Sequence, residues 1–123
     1  MARILLIDDD DQFRMLLRKM LEKAGYKDIE EANDGRTGMK LFRQRPFDLV
    51  ITDIIMPDKE GIETIMELTS EYPQMKIIAM SGGGSVGPQG YLEMAKRLGA
   101  SRTLEKPFKY SDFLDIVQEL LNE

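Results

Sequence analysis

Two solid apolar runs in this chain each stop on carboxylates, and nothing else in the sequence constrains the fold as much. Ile4-Leu5-Leu6-Ile7 runs into Asp8, Asp9, Asp10 and Asp11, and Leu49-Val50-Ile51-Thr52 runs into Asp53, with Pro57 soon after. Apolar runs without alternation suit parallel strands covered on both faces. Strands that carry acids to one edge of a sheet suggest a built metal site.

The rest of the chain alternates between the two periodicities. Residues 3–7 read as a strand. Residues 11–24 read as a helix with Phe13, Leu16, Leu17, Met20, Leu21 and Ala24 on one face and Gly25 as its stop. Residues 27–32 make a weaker strand, Asn33-Asp34-Gly35 a turn, and 37–45 a short helix with Gly38, Leu41 and Phe42 inward, ended by Pro46. A third strand over 48–53 is followed by a loop to Gly61 and a helix over 62–72, closed by Pro73. Residues 76–80 are a fourth strand. The glycine-rich stretch from Ser81 to Gly90 has no periodicity and reads as a loop. A helix over 91–98, a short strand over 102–105, the turn Lys106-Pro107-Phe108 and a helix over 111–121 complete the chain.

At 123 residues this is one domain, 1–123. Strict strand–helix alternation implies an α/β fold, a parallel sheet with helices on both sides. For five strands the common order is 2-1-3-4-5, and ligands bind where that order reverses, between the ends of strands one and three. Those two strands are the ones that end in Asp8-Asp9 and Asp53.

Composition narrows the chemistry. The chain has no cysteine and no histidine, which excludes thiol chemistry, histidine acid–base catalysis and a phosphohistidine of its own. A metal here is held by oxygen alone, which selects a hard cation such as Mg²⁺. The net charge of −5, without a dense basic run, argues against a nucleic-acid surface. No apolar run approaches membrane-spanning length and the start leads straight into a strand, so a cytoplasmic protein is expected, with no membrane partner.

Carboxylates converging at about 4 Å repel by roughly 4 kcal/mol per pair at an effective dielectric near 20. Either their pKa values rise or a cation sits among them. Mg²⁺ suits such a site because it takes one or two carboxylates and keeps waters that a phosphoryl oxygen can replace. Ser81 ends the fourth strand and Lys106 follows the fifth, both at the same rim. An acid nucleophile, a divalent cation, a hydroxyl and a lysine together make a phosphoryl-transfer site.

With Ile7-Asp8-Asp9, Asp53 followed by Met56-Pro57, Ser81 after an apolar strand, and Lys106-Pro107-Phe108, the whole chain resembles the receiver domain of bacterial two-component response regulators, of the chemotaxis-regulator type. The resemblance implies a flavodoxin-like (βα)5 three-layer sandwich. It implies that Asp53 is the phosphoacceptor and that Asp9 and Asp53 bind Mg²⁺ directly with the backbone carbonyl of Ile55, Asp8 acting largely through water. Ser81 and Lys106 would contact the phosphoryl group, and the Lys106–Pro107 bond would be cis. The donor would be the phosphohistidine of a sensor histidine kinase or a histidine phosphotransfer protein, and the output a contact with a downstream protein target. The chain would be no enzyme beyond its own phosphorylation and dephosphorylation. Two positions depart from the family pattern. Thr103 stands where an aromatic usually precedes the lysine by three, and Gly82 stands where alanine commonly follows the hydroxyl. We expect ordering of residues 82–90 to replace the aromatic swing. Ile55 and Gly83, flanking the phosphoryl site, are expected to tune hydrolysis. Because no further segment follows the last helix, a stand-alone receiver is expected.

Other readings compete locally. Asp10 and Asp11 read as caps of the first helix rather than ligands, and Asp48 as a turn acid. The Arg14, Arg18, Lys19, Lys23 face is either solvated or docks an acidic partner. Phe13 reads as core, and Met15, opposite the apolar stripe, as exposed. Gly82 to Gly84 lack the Gly-Lys-Ser/Thr of a nucleotide loop. The main rival function is a Mg²⁺-dependent phosphatase of the haloacid-dehalogenase type with Asp8 as nucleophile. A flavin-binding domain is disfavoured by four aspartates where phosphate would sit.

Overall fold

The computed structural model describes residues 2–54, 61–82 and 88–122, with backbone alone for 88–92. Five strands and five helices alternate: β1 (Arg3–Ile7), α1 (Asp11–Lys23), β2 (Asp28–Ala32), α2 (Gly35–Gln44), β3 (Leu49–Asp53), α3 (Gly61–Glu71), β4 (Ile77–Ser81), α4 (Pro88–Arg97), β5 (Arg102–Glu105) and α5 (Tyr110–Leu121). All strand pairs are parallel and the order is β2-β1-β3-β4-β5, as expected. β1 and β3 are neighbours, with Ile7 opposite Thr52, so Asp8 and Asp53 continue from the same edge of the sheet.

Every residue of β1, β3 and β4 is buried, which explains why their sequences do not alternate. Side chains still point alternately to two separate cores. Leu5, Ile7, Val50, Ile77 and Ala79 pack with Phe42, Ile65, Leu68 and Ala95 of α2, α3 and α4. Ile4, Leu6, Leu49, Ile51, Ile78 and Met80 pack with Leu17, Leu21, Phe113 and Val117 of α1 and α5. These are the three layers of the expected sandwich.

The structure corrects several boundaries. α2 begins at Gly35, because the Asp34 side chain accepts the Thr37 N–H at 2.7 Å and caps the helix inside what reads as a turn. α4 begins at Pro88, not at 91. A proline fits the first helical position, where no intrahelical N–H bond is due, so the glycine-rich stretch is shorter than its composition suggests. Leu16, read as inward, is 46% exposed beside Met15 at 53%. The apolar residues of α1 span a wider arc than the sheet and α5 can cover. The expected ordering of 82–90 lies mostly outside the described residues. No described helix is long and apolar enough to cross a membrane.

Candidate functional site

The carboxyl edge of the sheet gathers the predicted residues. Asp8 leaves the end of β1 and is 1% exposed; Asp53 ends β3 at 8%; Asp9 between them and solvent is exposed. One oxygen from each of these three acids can be chosen so that all lie within 4.8 Å of one another, a spacing that suits a shared cation. Lys106, just past β5, reaches into the same space. Its Nζ lies 3.0 Å from Asp8 Oδ2 and 3.5 Å from Asp53 Oδ2. Its backbone N–H donates to the Ser81 carbonyl at 2.9 Å, which joins the ends of β4 and β5 and brings the fully buried Ser81 to the same rim. The Lys106–Pro107 bond is cis, as expected. The Ile55 carbonyl, Met56, Pro57 and Gly83 lie outside the described residues.

Each acid is held differently. Asp8 Oδ1 accepts the Asp10 N–H at 2.9 Å, and its Oδ2 meets Lys106, so both oxygens are engaged. Burial nevertheless pushes its pKa above the usual carboxylate value. The Asp10 N–H and the Lys106 ammonium counter this in part, and the Asp9 charge adds to it. Three acids facing one ammonium are short of positive charge, so the donor set fits a hard divalent cation. Asp53 Oδ1 accepts its neighbour's N–H, from Ile54, at 2.8 Å, which fixes the carboxylate with Oδ2 towards Lys106. Asp8, 1% exposed, is more enclosed than Asp53, which disfavours it as the nucleophile of a dehalogenase-type phosphatase.

Asp10 is the N-cap of α1, as expected, accepting the Phe13 N–H at 3.0 Å, and Asp11, in the first turn, pairs with Arg14 at 2.7 Å, so neither need serve as a ligand. Other supports were not legible as such. Arg14 is no solvated face residue. It donates to the Asp8 carbonyl at 2.6 Å and pairs with Glu31 of β2 at 2.9 Å, tying the start of α1 to two strand ends. Burial works against its charge, but Glu31 and Asp11 outweigh that and raise its pKa. Arg18 also pairs with Glu31, at 2.9 Å. Phe13 packs half-buried against the core, and its ring also faces Lys106, with Nζ 4.1 Å from the centroid. Gly61, in the sequence only a breaker, presses its backbone against the end of β3. Its N–H donates to the Ile54 carbonyl at 2.7 Å, and a Cβ there would stand 1.9 Å from the Asp53 carbonyl oxygen. Thr103 is half-buried in β5 opposite Ala79.

Known proteins share both sequence and shape with this chain. The family model of the response regulator receiver domain matches residues 4–118. The response regulator receiver protein CpdR of Brucella abortus is 33% identical over 121 residues, covering 98% of both chains. The chemotaxis protein CheY of Thermotoga maritima is 33% identical over 118 residues, covering 96% of both. The crystal structure of a CheY-like receiver domain protein from Methanospirillum hungatei superposes with a TM-score of 0.89 at 30% identity, covering 99% of this chain and 94% of that one. The dehalogenase-type alternative finds no support among these. With the sheet order, the acid triad and Lys106 in place, the chain belongs to the response regulator receiver family.

Proposed function

We propose that Asp53 accepts a phosphoryl group from a phosphohistidine on a sensor histidine kinase or a histidine phosphotransfer protein, and that the phosphorylated domain then changes its contacts with a downstream protein. The observation that carries the assignment to Asp53 is its place: it ends β3 with Oδ2 3.5 Å from the Lys106 ammonium, and at 8% exposed it is more accessible to a donor than Asp8 at 1%.

Asp53 Oδ2 attacks phosphorus as the P–N bond to the donor imidazole breaks. The new O–P bond forms and the imidazole nitrogen keeps the old bonding pair. Lys106, 3.5 Å from Asp53 Oδ2, meets the charge on the phosphoryl oxygens, and the Ser81 hydroxyl donates to one of them. Asp8, Asp9 and Asp53 would hold Mg²⁺, which when bound supplies the positive charge that one lysine does not. The chain has no histidine, so it receives and does not donate by that route. It acts on itself and turns over no separate substrate. Phosphohistidine donors are made with ATP, which puts the exchange in the cytoplasm. For the output, shifting a two-state element from 1:99 to 99:1 takes about 5.5 kcal/mol, and the contacts of Ser81 and Lys106 with the phosphoryl group are its source.

Incubation with acetyl phosphate and Mg²⁺ followed by intact mass measurement tests the reading. Wild type should gain one phosphate and Asp53→Asn none. A wild type that stays unmodified, or a variant that gains as much, contradicts it.

A further inference from the structure

The position of Lys106 has two supports that are neither acid nor phosphate. The first is Phe13, whose ring centroid lies 4.1 Å from Nζ, well inside the distance at which a cation is drawn to an aromatic face. That ring is itself fixed. It meets Phe108 edge-on at 5.8 Å, and Phe108 stacks on the buried Phe113 at 5.6 Å, so three rings link α1, the turn after β5, and α5. The second support is the lack of a side chain at Gly82. A Cβ there would stand 3.1 Å from Lys106 Cβ and 3.2 Å from Cδ, so the lysine stem lies where any larger residue would press on it.

We infer that Phe13 is a positioning residue for phosphoryl transfer: with Gly82 leaving room for the stem, its ring holds the Lys106 ammonium over the Asp8 and Asp53 carboxylates. Two carboxylates attract the ammonium from one side but do not fix its direction. The ring closes another side and keeps water from it. Anchoring to Phe108 and Phe113 ties the lysine to α1 and α5, on a chain whose β5 carries Thr103 and no aromatic. This inference rests on the phosphoacceptor reading and adds to it a residue outside the acid–hydroxyl–lysine set.

Two measurements test it on Phe13→Leu, which keeps bulk but loses the π face, and on Phe13→Tyr, which keeps the face. In NMR of the unphosphorylated protein, ring current should shift the Lys106 ε-methylene protons upfield in wild type and in Tyr, and the shift should disappear in Leu. In acetyl phosphate reactions at saturating Mg²⁺, Leu should take up phosphate about three- to tenfold more slowly. Tyr should stay within about twofold of wild type on the same scale. An unshifted Lys106 methylene in wild type overturns the inference. So does a Leu variant as fast as wild type, or a Tyr variant as slow as Leu, which is the pattern of a residue needed only for packing. A wild type that takes up no phosphate overturns the phosphoacceptor reading and this inference with it, whereas an active wild type matched by Leu overturns this inference alone.

Discussion

The two ends of the sheet each hold a cation among acids beside a phenylalanine, yet they differ in how deeply those acids are buried. At the amino end Arg3 pairs with Asp28 at 3.0 Å and Glu30 at 3.1 Å, and its Nε donates to the Pro46 carbonyl at 3.2 Å. The guanidinium lies 4.3 Å from the centre of the Phe47 ring, and the Arg3 N–H donates to Asp48 at 2.7 Å. Each of the three guanidinium nitrogens finds an acceptor, so the donor side is saturated. At the carboxyl end one lysine, with a compact ammonium, meets Asp8 and Asp53, with Asp9 close by. Each end sets three acids around one cation, but Asp28, Glu30 and Asp48 reach solvent, whereas Asp8 and Asp53 are buried. Negative charge is screened by water at the amino end and held out of water at the carboxyl end, where it suits a divalent cation.

Breaking the saturated end should cost the most stability. Arg3→Met leaves Asp28, Glu30 and the Arg45 and Pro46 carbonyls without their shared donor. Since those acids are partly exposed, we expect a loss of about 2–4 kcal/mol in urea unfolding, somewhat below that of a fully buried pair. Phosphate uptake per folded molecule should stay unchanged, because the site lies at the other edge. Gly61→Ala attacks the carboxyl end through the backbone. The new methyl meets the Asp53 carbonyl rather than a flexible side chain, so the end of β3 must shift. Overpacking of this kind costs about 1–3 kcal/mol, and here it should also slow uptake in the acetyl phosphate assay.

The smallest change should run the other way. Burial keeps the Asp8 proton on to higher pH in the folded protein than in the unfolded chain. Metal-free protein in EDTA should therefore lose stability as pH rises from the ordinary value of 3.8 through the raised folded value. Asp8→Asn should remove that contribution, raising the urea midpoint at neutral pH, while weakening Mg²⁺ binding in a calorimetric titration. A midpoint lowered by this substitution would mean that Lys106 already balances the site.

Much of the carboxyl end was legible because strand-end chemistry is local. A run such as Leu49 to Thr52 states its own burial, and the residue that follows must emerge at the edge. Parallel order then brought Asp8, Asp53, Ser81 and Lys106 together without further information. The supports were not legible because they depend on side-chain direction across elements. Arg14 looked like one of four basic surface residues until its reach to Glu31 and the Asp8 carbonyl was seen. Arg3, next to the N-terminus, gave no sign that it closes the other end. Phe13 fitted the apolar stripe of α1, and nothing in its spacing shows that its ring turns to a lysine 93 positions on in the chain. Leu16 fitted the same stripe and is exposed, since the stripe is wider than what covers it.

Phosphorus should bond to the Asp53 carboxylate and to no other acid of the triad. Borohydride reduction of the acetyl phosphate-treated protein converts a phosphorylated aspartate to homoserine, and peptide mass mapping then locates it. We expect homoserine at position 53 alone, with Asp8 and Asp9 intact. Homoserine at position 8 or 9, with Asp53 unchanged, would contradict the account.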